Sequence, residues 1–243
     1  MTLTEAPAAP DDAEAPAPPP LVVARALVQH GERGTIYGPV DLDVLPGTLT
    51  VLHGPEGGGR TSLLLTLAGR MVPDPGAGLT VLGHRLPRER REVQRRVAIA
   101  GFRGIDELDD SVTVGAHVRE RIGWLSPWYR RVPRADQATV DRVLAPVFAG
   151  RPVPAASTVV WHLDEVDALL LRIALAMAQR PRLLLVDDVD RVQDPARRVV
   201  VWRHLAHLVE TGTAVVASTS SFDAARDAAW STPTRVVPIA PAP

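Results

Sequence analysis

Residues 54–62 read Gly54-Pro55-Glu56-Gly57-Gly58-Gly59-Arg60-Thr61-Ser62, the phosphate-cradling pattern G-x-x-x-x-G-K-[ST] with Arg60 where the pattern has lysine. The chemistry such a loop offers is anion binding. Backbone N–H groups of the loop and of the following helix start face phosphate oxygens, and the helix dipole favours their negative charge. Glycines at 54, 57, 58 and 59 allow a ligand to approach the backbone with no Cβ in the way. A second constellation, Leu183-Leu184-Leu185-Val186-Asp187-Asp188, is an apolar run ending in two acids. That arrangement sets carboxylates at a sheet edge, where one can hold Mg²⁺ and the other orient water.

Each element taken singly has a plainer reading. A Gly-rich loop can be an ordinary turn, and two acids after a strand can be a helix cap. Both in one chain, each flanked by the strand it needs, point to a nucleotide site.

The elements that must position these residues follow from the apolar pattern. Residues 49–52 read as a buried strand ahead of the loop and 61–68 as the helix start after it. Segments 97–100, 183–187 and 214–217 are short apolar runs of the kind buried parallel strands show, and 236–239 is a candidate edge strand. Segments 21–28, 40–45 and 79–82 form a separate set, divided by turns such as Pro46-Gly47, and predict a small antiparallel sheet. Residues 114–148 are mainly helical, broken by Pro127 and Pro133, and 165–179 is a helix apolar nearly all round. Residues 1–20, mostly Ala, Pro and acids, predict a disordered tail ahead of one domain over 21–240.

The whole-chain quantities limit the function classes. At 243 residues one substantial core can form. The formal charge is -1, from 27 basic and 28 acidic residues, so no bulk electrostatic footprint argues for nucleic acid. With 0 cysteines, disulfides, thiolate metal sites and a Cys nucleophile are excluded. The most apolar run, 168–178, carries Arg172 and falls short of the roughly 20 residues a membrane helix needs. No basic region followed by an apolar one opens the chain, so no secretory leader is read there. Membrane work would require a partner.

The order and spacing of the motifs resemble those of ATP-binding cassette (ABC) ATPases over roughly residues 21–220. The resemblance rests on the loop at 54–62, the acids at 187–188, the preceding helix through Arg172-Ile173-Ala174-Leu175-Ala176 to Arg180-Pro181, and the segment 189–195 with Asp194. It implies an α/β P-loop NTPase fold: a mostly parallel core sheet, an antiparallel β subdomain and a helical subdomain over about 103–175. It implies ATP and Mg²⁺ as cofactors, with Gly54, Pro55, Glu56, Gly57, Gly58, Gly59, Arg60, Thr61 and Ser62 around the phosphates. Thr61 and Asp187 would serve the Mg²⁺, and His30 the place of the aromatic that stacks on adenine. The implied partners are a membrane-spanning permease and a second cassette, as homodimer or heterodimer, and the implied place is cytoplasmic, peripheral at the inner face of the membrane.

The chain departs from the family at positions that carry chemistry. Asp188 stands at the catalytic-glutamate place, one methylene short, which withdraws the carboxylate by about 1.5 Å. Phe102 falls where a glutamine reaches the metal, Val189 where a proline follows the second acid, and Thr219 where a histidine contacts the γ-phosphate. The signature Leu-Ser-Gly-Gly-Gln aligns with Leu163-Asp164-Glu165-Val166-Asp167. Acids at that helix start would repel a phosphate offered by a facing subunit by about 4 kcal/mol for a pair at 4 Å. Asp164 as N-cap with Asp167 three residues on instead resembles a capping box that closes the helix end on itself.

The expectation is therefore an ATP-binding transporter subunit that binds Mg-ATP and hydrolyses it slowly. The competing reading is a non-catalytic nucleotide sensor or scaffold. An ATPase acting on DNA or ribosomes is disfavoured by the charge balance and by the lack of a coiled-coil insertion or second cassette. Of the remaining features, Trp124, Trp128 and Tyr129 read first as packing of the helical block and second as a docking patch. His204 and His207 read as a solvated helix face, and His53 as a hydrogen-bonded residue at a buried strand end.

Overall fold

The computed structural model describes residues 18–32, 34–221 and 231–239; most of the tail expected over 1–20 lies outside them. Two sheets organise the chain. The first is antiparallel and is built from β1 (Val22–Gly31), β2 (Gly34–Val44), β4 (Gly78–Val81) and β5 (His84–Arg85), in the order β2-β1-β4-β5. The second is built from β3 (Leu49–His53), β6 (Val97–Ala100), β7 (Leu183–Val186), β8 (Ala214–Thr219) and β9 (Thr234–Pro238), in the order β6-β7-β8-β3-β9. Every pairing within it is parallel. β7 and β8 are buried at every position, which explains their uninterrupted apolar reading: both faces are covered.

Among the described residues, six α-helices cover this sheet and extend from it: α1 (Arg60–Leu67), α2 (Arg90–Arg96), α3 (Val114–Leu125), α4 (Gln137–Phe148), α5 (Glu165–Met177) and α6 (Pro195–Glu210). Two apolar clusters divide the core. One joins α3, α4, α5 and α6 to one side of the parallel sheet through Val118, Leu144, Leu170, Ile173, Leu184 and Trp202. The other joins α1 and the antiparallel sheet to the opposite side through Leu27, Tyr37, Leu52, Leu64 and Leu185. Alternation along β7 sorts the residues: Leu184 and Val186 enter the first cluster, Leu183 and Leu185 the second.

The parallel register brings the loop and the acids to one edge. His53 at the end of β3 pairs with Thr219 at the end of β8, and Val186 at the end of β7 pairs with Ala217. The loop that follows β3 and the acids that follow β7 consequently leave the sheet at its carboxyl edge, on either side of β8. Crevices at such edges are where open α/β sheets bind ligands.

The strand set and the two-sheet division agree with the sequence reading, but β1 and β2 run longer than expected, to Gly31 and from Gly34. Two expectations fail. Trp124, Trp128 and Tyr129 are not core packing: they are 71%, 95% and 72% exposed. His204 is not on a solvated face, since α6 buries it while leaving Arg203 in water.

Candidate functional site

The loop between β3 and α1 is shaped by close backbone contacts. Gly59 takes φ 79, and a Cβ there would lie 2.2 Å from the Ile36 carbonyl oxygen and 2.7 Å from Tyr37 Cβ. Only glycine lets β2 pass so near. Gly57 takes φ 75, and a Cβ there would meet nothing within 4 Å, so its glycine serves backbone conformation alone. Gly54 anchors the loop by donating its N–H to the Thr219 carbonyl at 3.3 Å.

Helix α1 begins at Arg60 with no side-chain cap, and its first turn holds no acid. Its N-terminal N–H groups and positive dipole end are left to a ligand. Helix α5 does the opposite. Asp164 accepts the Asp167 N–H at 2.8 Å as N-cap. The box is not reciprocal, however: the Asp167 carboxylate turns to the Arg151 Nε, and Arg151 Nη2 also reaches Asp164 Oδ2 at 3.0 Å. Glu165 accepts the Gln193 N–H at 3.0 Å. All three acids of the signature segment are occupied within the chain, and no motif in the sequence points to Arg151 as their partner.

Across the sheet edge, Thr61 donates its hydroxyl to Asp187 Oδ2 at 2.7 Å, and Ser218 donates to Asp187 Oδ1 at 2.6 Å. Asp187 is 4% exposed, so two hydroxyl donors hold a carboxylate that burial would otherwise penalise. The next residue, Asp188, adopts φ 51, a left-handed conformation that Asp tolerates better than bulkier residues. Its N–H donates to Ser218 Oγ at 2.8 Å. Burial pushes its carboxyl above the ordinary carboxylate range, with the negative charges of Asp187 and Asp190 adding to the effect and Arg60 and Arg191 opposing it.

Arg60 does not extend into open space. It is 8% exposed, its Nη1 makes no hydrogen bond among the described residues, and Asp190 Oδ2 lies 3.7 Å away. Asp190 is itself held from three sides: Arg198 Nη1 lies 3.1 Å from Oδ1, Thr219 Oγ1 lies 2.8 Å from Oδ1, and the Ser220 N–H donates to Oδ2. The single Thr219 proton is shared with the Ser221 carbonyl at 2.7 Å. Arg198 fixes the same loop by donating to the Val192 and Gln193 carbonyls at 3.0 and 3.3 Å. Neither Asp190 nor Arg198 is marked by any motif spacing. Asp190 is simply a third acid in the run 187–190, distinguished only after folding sets it beside Arg60.

The remaining expected positions are dispersed. His30, on β1, is exposed and contacts Asp74 through both its ring Nδ1 and its backbone N–H. Phe102 is fully buried in the second apolar cluster, and its carbonyl, not its side chain, is used: Arg172 Nη2 donates to it at 2.9 Å. Arg172 also holds Asp106 through Nε and Nη2 at 3.1 and 2.7 Å, fastening the loop after β6 to α5. Pro55, Glu56 and Gly57 lie exposed at the loop tip, while Gly58 turns back to donate to the Pro55 carbonyl at 3.1 Å. Ser62, within the first turn of α1, uses its carbonyl to accept from Thr66 Oγ1 at 2.9 Å.

A family model described as ABC transporter matches residues 37–190, which contain the loop, Thr61, Asp187 and Asp188. The chain belongs to the ABC transporter family. Cytochrome c biogenesis ATP-binding export protein CcmA of Bordetella bronchiseptica is 33% identical over 205 residues, 84% of this chain and 85% of that protein. Nod factor export ATP-binding protein I of Paraburkholderia xenovorans is 28% identical over 78% of this chain but 59% of its own length, so the chain spans less than two thirds of that relative. Among solved structures, cbiO1 from Clostridium perfringens, part of the ABC transporter complex cbiONQ, superposes with a TM-score of 0.72 at 15% identity over 91% of this chain and 85% of that one. The dimeric MJ0796, a bacterial ABC transporter cassette, gives 0.68 at 17% identity over 90% and 94%. These superpositions establish the cassette fold, with its parallel sheet, antiparallel sheet and helices. Among the described residues, no helix of this ABC family member is long and apolar enough to cross a membrane.

Proposed function

We propose that this chain is the ATP-binding subunit of an ABC transporter, and that it binds Mg-ATP while hydrolysing it slowly. One observation carries the binding half: Thr61 and Asp187 meet at 2.7 Å beside an uncapped helix start, at the edge where the glycine loop leaves the sheet. The residues present suit a Mg-nucleotide. A hydroxyl and a carboxylate are hard oxygen donors of the kind Mg²⁺ takes, and the buried Arg60 Nη1 lacks a hydrogen-bond partner that a phosphate oxygen would provide. In this reading Gly54–Ser62 cradles the phosphates, Thr61 and Asp187 serve the Mg²⁺, and His30 flanks the base.

The slow half rests on substitutions at the reacting end. Asp188 carries a shorter carboxylate than glutamate, and burial with two neighbouring acids raises its affinity for a proton. Phe102 supplies no side-chain ligand, and Thr219 is engaged with Asp190 and Ser221. A misplacement near 1 Å costs on the order of a hundredfold in rate.

The partner in this reading is a membrane-spanning permease. It would dock at the groove lined by Ile105, Leu108, His117, Arg121, Leu175 and the exposed Trp124. A second cassette, identical or different, would complete the assembly at the cytoplasmic face of the membrane. The domain runs over 21–240, with the helices of 103–175 as its membrane-proximal part. A sensor or scaffold that never cycles is favoured by one observation: the start of α5, which would offer its N–H groups across a dimer, is closed by Asp164 and Arg151.

Calorimetric titration tests the binding half. Saturable Mg-ATP binding that weakens at least tenfold in EDTA or in Thr61→Ala is expected, and no binding by the folded chain would refute it. ATP-dependent dimerisation separates transporter subunit from sensor: a chain that stays monomeric with Mg-ATP and permease present is a sensor.

A further inference from the structure

The unusual feature of the site is the anion already inside it. Arg60 occupies the loop position whose cationic side chain reaches the β- and γ-phosphates in such cradles. Its Nη1 is buried, makes no hydrogen bond among the described residues, and faces the Asp190 carboxylate at 3.7 Å. Asp190 cannot swing away freely, because Arg198, Thr219 and the Ser220 N–H hold both of its oxygens. Thr219 ends β8, directly beside the start of the glycine loop, where Gly54 donates to its carbonyl. The carboxylate is therefore fixed between the loop cation and the neighbouring strand end, against the cation that a phosphate would also use.

We infer that Asp190 is an internal counter-ion of the nucleotide cradle and selects against a terminal phosphate, so that the site prefers a nucleoside diphosphate to the triphosphate. The inference rests on the nucleotide-binding reading above and names the residue that sets phosphate number within it. Two effects act together. A third phosphate brings further negative charge toward a carboxylate that is 12% exposed and poorly screened, and it competes with that carboxylate for Arg60. A diphosphate meets Arg60 through its β-phosphate alone, draws otherwise on the loop N–H groups and the start of α1, and brings less charge toward Asp190. Asp188 and Asp187 add to the negative side of the same edge, while Arg198 is committed to the 190–193 loop and is not free to follow a phosphate.

The test is a pair of titrations, Mg-ADP and Mg-ATP, on the full chain and on Asp190→Asn, which keeps one oxygen for Arg198 and Thr219 but loses the charge and the second acceptor, the one Ser220 uses. The wild-type chain should bind Mg-ADP at least tenfold more tightly than Mg-ATP. Asp190→Asn should bring the two within about threefold, chiefly by tightening Mg-ATP. Wild-type affinities that are equal, or that favour Mg-ATP, overturn the inference while leaving the nucleotide-binding reading intact; this arm needs no variant to fold. Equal weakening of both nucleotides by Asp190→Asn also overturns it, because Asp190 would then be only a support for the loop. If neither nucleotide binds to a chain that melts cooperatively, the nucleotide-binding reading itself fails.

Discussion

Thr61 and Asp187 join the glycine loop to the acidic strand end: the hydroxyl donates to Oδ2 at 2.7 Å across the edge of β8, whose Ser218 donates to the other oxygen. This contact defines the site geometrically before any ligand enters. Removing Asp187 leaves the buried Ser218 hydroxyl without its acceptor, a loss of about 1–3 kcal/mol, and releases the more exposed Thr61 at little cost. Asp187→Ala is expected to lose about that much in urea denaturation together with Mg-dependent nucleotide affinity, whereas Thr61→Ala loses the affinity with a smaller stability change. Equal stability of Asp187→Ala and wild type would contradict the contact.

The two left-handed glycines of the loop separate conformational strain from collision. Gly57→Ala meets nothing within 4 Å and should cost about 1–2 kcal/mol, the left-handed penalty alone. Gly59→Ala adds a Cβ 2.2 Å from the Ile36 carbonyl and should cost more, because β2 or the loop must move. Thermal denaturation of the two variants ranks them, and the reverse order would refute the close passage of β2.

Arg151 neutralises the acidic start of α5. Its partners are partly exposed, so screening keeps each ion pair to about 0.5–1 kcal/mol. Arg151→Ala should therefore destabilise by about 1–2 kcal/mol, and less at high salt. A double-mutant cycle with Asp167→Ala measures the coupling; additivity of the two changes would exclude a direct pair.

His204 carries a pH dependence. Burial pushes its imidazole below the usual range, the nearby Arg151 and His207 act the same way, and the Val147 backbone and Asp167 oppose them. The native chain keeps it neutral to lower pH than the unfolded chain, whose imidazole protonates near pH 6.5. Stability is then full above about pH 6.5 and falls as pH drops below it, because the unfolded state binds the extra proton. Urea midpoints from pH 7.5 to 5.5 should decline less steeply in His204→Leu than in wild type. Parallel profiles would show that His204 contributes nothing to the pH dependence.

Much of the fold was legible because short apolar runs bounded by Gly, Pro and acids coincide with strands buried on both faces, as in residues 183–186. The loop at 54–62 was legible for a different reason: its glycines and Thr61 fall at a fixed spacing within nine residues, a pattern readable without knowing that β2 passes Gly59. What escaped sequence reading was long-range. Arg151 reaches Asp164 and Asp167, Arg172 reaches Asp106, and Arg198 reaches Asp190, each from another element. An arginine pairs with whichever acid folding brings near, and no periodicity encodes that. The same holds for Trp128: an aromatic within a helical block reads as core until the chain trace leaves it 95% exposed.

The central claim is that this cassette retains nucleotide binding and has given up fast turnover. Phosphate release from saturating Mg-ATP by the full chain tests it most directly, with Asp187→Ala as the blank. Release slower than about 1 per second, the low end of usual enzyme rates, from a chain that demonstrably binds nucleotide is the expected result. Turnover above that rate, abolished by Asp187→Ala, would contradict it.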